Sequence, residues 1–490
     1  MNTRYYILFA FFFVLGAQAQ NVFLDRAYWK AAPTVTTVKA DIKKGNNPVE
    51  LNSNAFDATV YAIIENAPDA TVKFLLDQPG NDVNKITHDG RTYIFWAAYK
   101  GNTELMQYLQ KRGAKTDIIE DHGYTIANFA ASTGQANTKV YELCVDYGAK
   151  LQKDLDHEGA NALLLSAANA KDLSLIDYFL NKGVDLKSTD AHGSGLLDYA
   201  AKAGSQKVME ALLAKGLHFS DNAMIMAAQG TRANTNTLET YKFLESKGAN
   251  TKAVSASGDN PLHFIVRKEN QSEIVQYFLS KEVDVNQANK DGNTVFMNAA
   301  RSSDLAVVDL LAGKTKNVNA LNAKGQSALA LAVQNNSVEV VSFLLEKGAD
   351  VNVSDKDGNG LTYYLAQSYN AKKSEEFEAK VQKLEAKGFS LAEPQKNGNT
   401  LYHFAVAKDD LDLAARAQSL KIDINQKNKE GLTALHKAAM TAKNDKFMKF
   451  LIESGAQTSA KTDMDETAFE LAGENELLKK NNVSIDFLKA

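Results

Sequence analysis

Residues 354–360 (Ser-Asp-Lys-Asp-Gly-Asn-Gly) carry the carboxylate and amide oxygens that a calcium-binding loop would use. Counted from Asp355, oxygen-bearing side chains stand at positions 1, 3 and 5, and Gly360 stands at position 6, as in an EF-hand loop. Position 12, where an EF-hand loop has a glutamate that supplies two oxygens, is Ala366. Without that ligand the coordination sphere of the ion cannot close, so we predict that this run binds no calcium.

The eight histidines are the other residues that could bind a metal or transfer protons. None has the spacing of a His-Glu-x-x-His motif or of a zinc site that combines two histidines with cysteine. The sequence also has no clustered glycines to cradle a phosphate and no Gly-x-Ser-x-Gly nucleophile motif. We therefore predict no catalytic residues, no metal and no cofactor. Structural or solvent-exposed roles are expected for the histidines, which are His88, His122, His157, His192, His218, His263, His403 and His436.

The calcium-like run is one copy of a phrase that recurs along the chain, because a glycine followed by similar residues returns at a nearly fixed interval. The intervals lie between 33 and 40 residues, apart from one of 65 that spans two units. Such a period indicates a repeat array, in which each run of this kind is a turn. The recurring glycines are Gly90, Gly123, Gly159, Gly193, Gly258, Gly292, Gly325, Gly358, Gly398 and Gly431.

The clearest single unit runs from Gly325 to Asp357. Apolar residues within 329–332 fit a short first helix, and the more apolar run 338–345 fits a second one. Gly348 is expected to end the second helix in the left-handed conformation, after which the chain returns to the next unit as an extended hairpin. A threonine two residues after the turn glycine, as at Thr433, is suited to cap the first helix.

These units resemble ankyrin repeats. Residues 260–263 (Asn-Pro-Leu-His) and 433–436 (Thr-Ala-Leu-His) are close to the Thr-Pro-Leu-His motif of the family, and residues 348–352 (Gly-Ala-Asp-Val-Asn) reproduce its exit motif. The resemblance covers nearly the whole chain after residue 19 and implies an all-α solenoid of about 14 helix-turn-helix units with short β-hairpin turns, including divergent caps. It also implies that His263, His403 and His436 connect neighbouring turns by hydrogen bonds.

The predicted domains are a signal peptide (1–19), an N-terminal cap (20–56), the repeat array (57–464) and a C-terminal cap repeat (465–490). The signal peptide is predicted from the apolar run Tyr5–Ala17, which is followed by the small residues of a cleavage site, Ala17-Gln18-Ala19. A membrane anchor is the alternative, but the run is shorter than the ~20 residues of a spanning helix. The mature protein is therefore expected in the periplasm or secreted.

The composition limits which classes of partner and which covalent links are expected. The formal net charge is −4 without any basic stripe, which argues against a nucleic-acid partner. The single cysteine, Cys144, excludes an intramolecular disulfide and is interpreted as a small buried hydrophobic residue. No apolar stretch after the signal peptide predicts a membrane span, and we predict a monomer.

Partners of ankyrin repeat proteins dock on the concave face that the hairpin tips and the ends of the first helices form, and this chain is rich in aromatic and charged residues there. Aromatic residues and arginine supply much of the binding energy at interfaces. Arg91 and Tyr99 are expected to be exposed, whereas Trp96 and Tyr364 could instead stack between repeats. The predicted partner-binding residues are Asp89, Arg91, Tyr93, Trp96, Tyr99, Lys100 and Tyr124, with a second cluster of Tyr363, Tyr364 and Tyr402.

The sequence thus predicts a non-enzymatic scaffold of the cell envelope that binds another protein through the concave ankyrin surface. The alternatives are a small-molecule-binding or enzymatic groove, an oxidative-stress accessory protein, and a structural spacer of the envelope. The identity of the partner is not encoded in any motif, because surfaces of this kind specify partners by scattered positions.

Overall fold

Each period of the sequence folds into two short α-helices, here named the inner and the outer helix in chain order, followed by a hairpin that leads to the next pair. A computed structural model describes residues 21–232 and 235–489. Within these ranges the chain has 28 α-helices, which form fourteen pairs, and its only β-structure is a few isolated bridges. The fold is an all-α repeat solenoid, as predicted. The predicted signal peptide lies outside the described residues.

The chain divides into two compact units, the first ending at Ser220 and the second beginning at Asp221. The helices of the first unit are α1 Arg26–Lys30, α2 Val35–Lys43, α3 Ala58–Ile64, α4 Asp69–Leu76, α5 Tyr93–Lys100, α6 Thr103–Lys111, α7 Ile126–Ser132, α8 Thr138–Asp146, α9 Ala162–Ala167, α10 Ser174–Asn181, α11 Leu196–Ala203 and α12 Gln206–Ala214.

The second unit contains the remaining eight pairs among the described residues. Its helices are α13 Ala223–Gln229, α14 Leu238–Ser246, α15 Pro261–Ile265, α16 Ser272–Ser280, α17 Val295–Ser302, α18 Leu305–Ala312, α19 Ala328–Asn335, α20 Val338–Glu346, α21 Leu361–Ser368, α22 Ser374–Glu385, α23 Leu401–Lys408, α24 Leu411–Ser419, α25 Ala434–Thr441, α26 Lys446–Glu453, α27 Ala468–Glu474 and α28 Glu476–Lys480. Short 3₁₀-helices are Val22–Leu24, His88–Gly90, Ala371–Lys373 and Asp486–Leu488.

The inner helices begin where the sequence places a capping side chain. The hydroxyl oxygens of Thr125, Thr294 and Thr433 accept hydrogen bonds from backbone N–H groups in the first turns of α7, α17 and α25. Gly360 stands at this position before α21 and offers no side-chain cap. Its own N–H donates instead to the side-chain carbonyl of Gln395, 2.6 Å away in the next turn.

The core lies between the stacked pairs. Inner helices are buried almost throughout, so that α7 buries every residue from Ile126 to Ala131. Outer helices bury one face only, as α6 does with Leu105, Met106 and Leu109. Because α5 packs on α7 and α7 on α9, each repeat covers the apolar side of its neighbour, which is why the array needs no single large core.

None of the described helices is both long and apolar enough to cross a membrane. Helices α1 and α2 fall within the range predicted for the N-terminal cap, and α27 and α28 fall within the range predicted for the C-terminal cap. The function of these end pairs as caps stays a prediction.

Candidate partner-binding site

Three hairpin turns of the first unit are held by the side chain of the residue three positions before the turn glycine. One carboxylate oxygen of Glu120 accepts the backbone N–H groups of His122 and Tyr124, at 2.8 and 3.1 Å. Asp156 and Asp190 do the same in the next two hairpins. This position was missed in the sequence, although a carboxylate or amide recurs there in register with the glycines. The turn side chain therefore fixes the shape of each tip.

Neighbouring tips lie in close contact. The N–H of Asp121 donates to the carbonyl of Asp89 at 3.0 Å, which joins the hairpins of Gly90 and Gly123. Gly123, at φ +83°, packs so closely on the hairpin of Gly159 that a Cβ there would come within 2.5 Å of the His157 ring. Both the positive φ and the contact require glycine at this turn. Side chains at equivalent positions of these hairpins therefore form rows.

Arg91 directly follows the turn glycine Gly90. Only 6% of its surface is exposed, so its predicted exposure was wrong. Its guanidinium pairs with Asp89 at 3.0 Å and with Glu120 of the next tip, whose exposed fraction is 3%. The same group lies over the Phe129 ring, 4.3 Å from its centre. Arg91 holds two consecutive tips together and cannot present its charge to a partner.

Tyr93 and Trp96 are also buried, and each donates a hydrogen bond inside the stack. The Tyr93 hydroxyl donates to Asp57 at 2.7 Å, and burial together with that carboxylate raises the pKa of the phenol. The indole N–H of Trp96 donates to the hydroxyl of Thr87 at 2.9 Å. Trp96 therefore lies in the core between repeats, which was the alternative given in the sequence analysis, and Tyr93 does the same.

The second predicted cluster is mostly core as well. Tyr364 and Tyr402 are buried, and the Tyr364 hydroxyl donates to Asp355 at 2.8 Å. Tyr363 is partly exposed and packs edge-to-face on Phe404, with ring centres 5.5 Å apart. These rings connect the repeats that contain α21 and α23, and Tyr363 alone of the three tyrosines reaches solvent.

Four predicted residues of the first unit remain partly exposed, namely Asp89, Tyr99, Lys100 and Tyr124. Tyr99 packs on Trp96 and Phe129, and Lys100 lies over its ring. His122, which the sequence analysis did not include among the partner-binding residues, is exposed, stacks on Tyr124 and pairs with Glu120. We name the tip surface for its members Asp89, Tyr99, Lys100, His122 and Tyr124.

An exposed aliphatic row lies in the same hairpins. Ile86, Ile119 and Leu155 all stand four residues before a turn glycine, with exposed fractions of 57%, 63% and 48%. Single exposed apolar residues are normal, but here three occupy the same register of consecutive hairpins. The sequence signal was the recurring position, which becomes meaningful only once exposure is known.

A metal ion does not fit the tips. Asp89, Glu120 and His122 are the group of possible metal ligands that the described residues bring together. Arg91, however, donates to both carboxylates of this group, so a cation would have to displace a buried guanidinium. The lone Cys144 offers no ligand either, because burial raises the pKa of its thiol to about 12 and keeps it protonated.

Adding millimolar calcium is expected to leave the melting temperature of the protein unchanged within about 1 °C, because the described residues offer no site for tight binding. In the run 354–360, one oxygen of Asp355 accepts the N–H groups of Asp357 and Asn359. The other oxygen accepts the Tyr364 hydroxyl. Differential scanning fluorimetry with calcium, and with magnesium as the control, measures this. A calcium-specific rise of several degrees would contradict the assignment of this run as a turn.

Two descriptions of the ankyrin family match the sequence. Ankyrin repeats (3 copies) matches residues 59–153, 224–320 and 262–355, and Ankyrin repeat matches residues 430–463. Together these ranges cover more than half of the 490 residues.

Curated proteins with similar sequences include a putative ankyrin repeat protein of Rickettsia felis, 25% identical over 277 residues, which are 50% of this chain and 70% of that protein. A transient receptor potential cation channel subfamily A member 1 homolog of Caenorhabditis elegans is 25% identical over 214 residues, 44% of this chain and 15% of the channel protein. Palmitoyltransferase AKR1 of Lachancea kluyveri is 26% identical over 129 residues, 26% of this chain and 17% of the transferase. The chain thus spans less than a fifth of the length of the last two relatives.

Proposed function

This chain belongs to the ankyrin repeat family, and from that premise we propose that it is an exported, non-enzymatic scaffold that binds a partner protein through the tip surface of its first unit. Ankyrin repeats support a protein–protein interaction role in general. The choice of surface rests on the partly exposed aromatic and charged side chains of two adjacent hairpins and of the end of α5.

The observation that carries the proposal is the rigid support beneath these side chains. The buried pair of Arg91 with Glu120 connects the two tips, and Phe129 and Trp96 pack against both the guanidinium and Tyr99. Ordering flexible side chains weakens binding by about 0.5–1.5 kcal/mol for each side chain immobilised. Tyr99 is already held by its neighbours, so a partner would gain its contact area at a smaller entropic cost.

The surface also indicates the chemistry of the partner. The tip surface contains one carboxylate, one ammonium, one imidazole and two phenols, and the same series of hairpins carries the exposed Ile86, Ile119 and Leu155. A matching partner would offer apolar side chains opposite the row and mixed polar groups opposite the tips. Such a combination of an apolar centre and a polar surround is typical of protein interfaces.

Replacing Tyr99 and Tyr124 together by alanine is expected to weaken partner binding about 30-fold, because an aromatic hot spot contributes about 2 kcal/mol or more. The matched control is Tyr108→Ala, since Tyr108 is also partly exposed but lies on the outer helix α6 of the same unit. The partner is first identified by crosslinking and mass spectrometry in the native host, and its affinity for each variant is then measured by biolayer interferometry. Equal affinities of the double variant and the control would contradict the choice of surface.

The proposal places the mature protein in the periplasm or outside the cell. Its support is the apolar run Tyr5–Ala17 and the small residues that follow it. Intact-mass measurement of the protein from fractionated cells is expected to find a chain that begins at Gln20 in the periplasmic or secreted fraction. A chain with residues 1–19 still attached, recovered from the cytosol, would contradict export without affecting the choice of binding surface.

A further inference from the structure

The repeat that begins at Gly358 departs most from the common period, with 40 residues before the next turn glycine. The additional residues form the 3₁₀-helix Ala371–Lys373 and lengthen α22, which at 12 residues exceeds the other outer helices of the second unit. Between this insertion and the turn that joins α19 to α20 lies a cleft of about 360 Å³. At about 30 Å³ for each water in the liquid, that volume equals roughly twelve waters, enough for a small organic molecule.

The lining of the cleft is polar. The turn between α19 and α20 supplies Asn335, Asn336 and Ser337, and the insertion supplies Lys373 and Lys380. Phe377 is its one large apolar side chain, and Glu376 is its one carboxylate. Two ammonium groups therefore face one carboxylate, which gives the cleft a net positive charge when all three are ionised.

Lys380 is the most unusual of these residues because its charge is buried, with only 4% of its surface exposed. Its ammonium donates to the carbonyl of Val333 at 3.2 Å and pairs with Glu376 at 3.4 Å. An ammonium has three N–H donors, and these two contacts are longer than is usual for hydrogen bonds donated by a charged group. Burial lowers the pKa of Lys380, as expected for a cation that lacks full compensation.

Lys408 serves as a comparison for Lys380, because its hydrogen bonds fully account for a structural role. Its ammonium donates to the carbonyls of Ala366, Gln367 and Tyr369 at 2.8, 3.1 and 2.9 Å, which uses all three donors at the end of α21. Lys380 reaches one carbonyl near the end of α19 and leaves a donor for the cleft. Capping of the preceding helix therefore accounts for Lys408 but not fully for Lys380.

We propose that this cleft binds a small organic oxyanion, a carboxylate or a phosphate monoester, whose oxygen accepts the third N–H of Lys380. Lys373 lies at the exposed side of the cleft and adds attraction. The Asn335 amide donates one N–H to the carbonyl of Leu331 and keeps a second, so this N–H and the Ser337 hydroxyl provide further polar partners. A cation would meet the buried ammonium, and a neutral ligand would leave the net positive charge of the cleft unbalanced. The inference concerns the second unit and does not depend on the proposed partner site of the first.

Isothermal titration calorimetry of the whole mature chain with succinate and with glycerol 3-phosphate tests the proposal, and glycerol serves as the neutral control. At least one of the two anions is expected to bind one per chain, and the response identifies the class of anion. Glycerol is expected to give no heat of binding. Absence of binding by both anions overturns the proposal.

The variants Lys380→Met and Lys373→Met are each expected to weaken anion binding 10-fold or more. Lys383→Met is the matched control, because Lys383 lies on the same helix but is exposed and outside the cleft. Lys373 is exposed, so its substitution is expected to leave folding intact and keeps the test decisive where Lys380→Met fails to fold. Anion binding that survives Lys373→Met as well as it survives Lys383→Met overturns the assignment to this cleft.

Discussion

Substituting Arg91 by methionine is expected to destabilise the first unit by about 3–5 kcal/mol, because it leaves the buried carboxylate of Glu120 without its cation. The side chain of Glu120 is inaccessible to solvent, so water cannot replace the guanidinium. The same change removes the contacts of Arg91 with Trp96 and Phe129. Urea denaturation followed by circular dichroism measures the loss of stability.

Arg112→Met provides the matched control, since Arg112 belongs to the same unit but pairs with Asp77 at the surface. Exposed pairs of this kind contribute about 0–1 kcal/mol. The double variant Arg91→Met, Glu120→Gln should recover part of the loss, because a glutamine oxygen can still accept the turn N–H groups without a buried charge. If Arg91→Met were as mild as Arg112→Met, the tip would be solvated and Arg91 would be a surface residue after all.

Lowering the pH from about 6.5 to about 4 is expected to destabilise the second unit by on the order of 3 kcal/mol through His403 alone. The N–H of Thr400 donates to Nδ1 of His403 at 3.1 Å, and Nε2 lies 3.0 Å from the carbonyl of Leu432. An N–H can only donate and a carbonyl can only accept, so the ring must be neutral with its proton on Nε2. Burial lowers the pKa of His403 from 6.5 to about 4.

The direction of the pH effect follows from proton binding. Between the two pKa values the unfolded chain binds a proton at His403 and the folded chain does not, so protons favour unfolding. The contribution of neutral His403 to the free energy of unfolding is therefore fully present above about pH 6.5 and is lost as the pH decreases towards 4. His263 and His436 make equivalent bonds, and burial also lowers their pKa values, so both add to the loss.

His403→Gln separates this effect from the titration of carboxylates. Glutamine can cap the helix start from the same position and does not titrate. Urea denaturation at pH 7 and at pH 4.5 is expected to show a smaller difference for His403→Gln than for the unmodified protein, whereas His218→Gln, at an exposed histidine, should leave the difference unchanged. An equal acid effect in His403→Gln would mean that this histidine is charged in the folded state.

The period of the array could be predicted because each turn glycine and each helix-capping residue recurs at a fixed distance. The fourteen helix pairs follow from that spacing and from the apolar runs between the glycines. In the sequence, residues 369–376 look like extra length between the two helices of the repeat that begins at Gly358, but part of this segment is helical. Ser374, Glu375 and Glu376 favour a helix start, because acidic residues in a first turn stabilise its positive end.

Exposure at the site could not be predicted from one repeat at a time. Arg91 stands at a position that faces solvent in an isolated hairpin, and only the Glu120 carboxylate of the next hairpin makes it buried. Tyr364 is likewise buried with its hydroxyl on Asp355 of its own turn, while Tyr363 beside it remains partly exposed. The burial of Arg91 thus depends on a residue 29 positions away, and the repeat period does not show that these two side chains pair.

Site-specific photocrosslinking in the native host tests the proposed binding face most directly. Benzoylphenylalanine is introduced at Tyr99, at Tyr124 and, as the control, at Tyr108 on the outer helix of the same unit. We expect one protein to be crosslinked, after ultraviolet irradiation, from positions 99 and 124 and not from position 108. A partner that is crosslinked from position 108 but from neither position 99 nor position 124 would contradict the proposal that the tip surface of the first unit is the binding face.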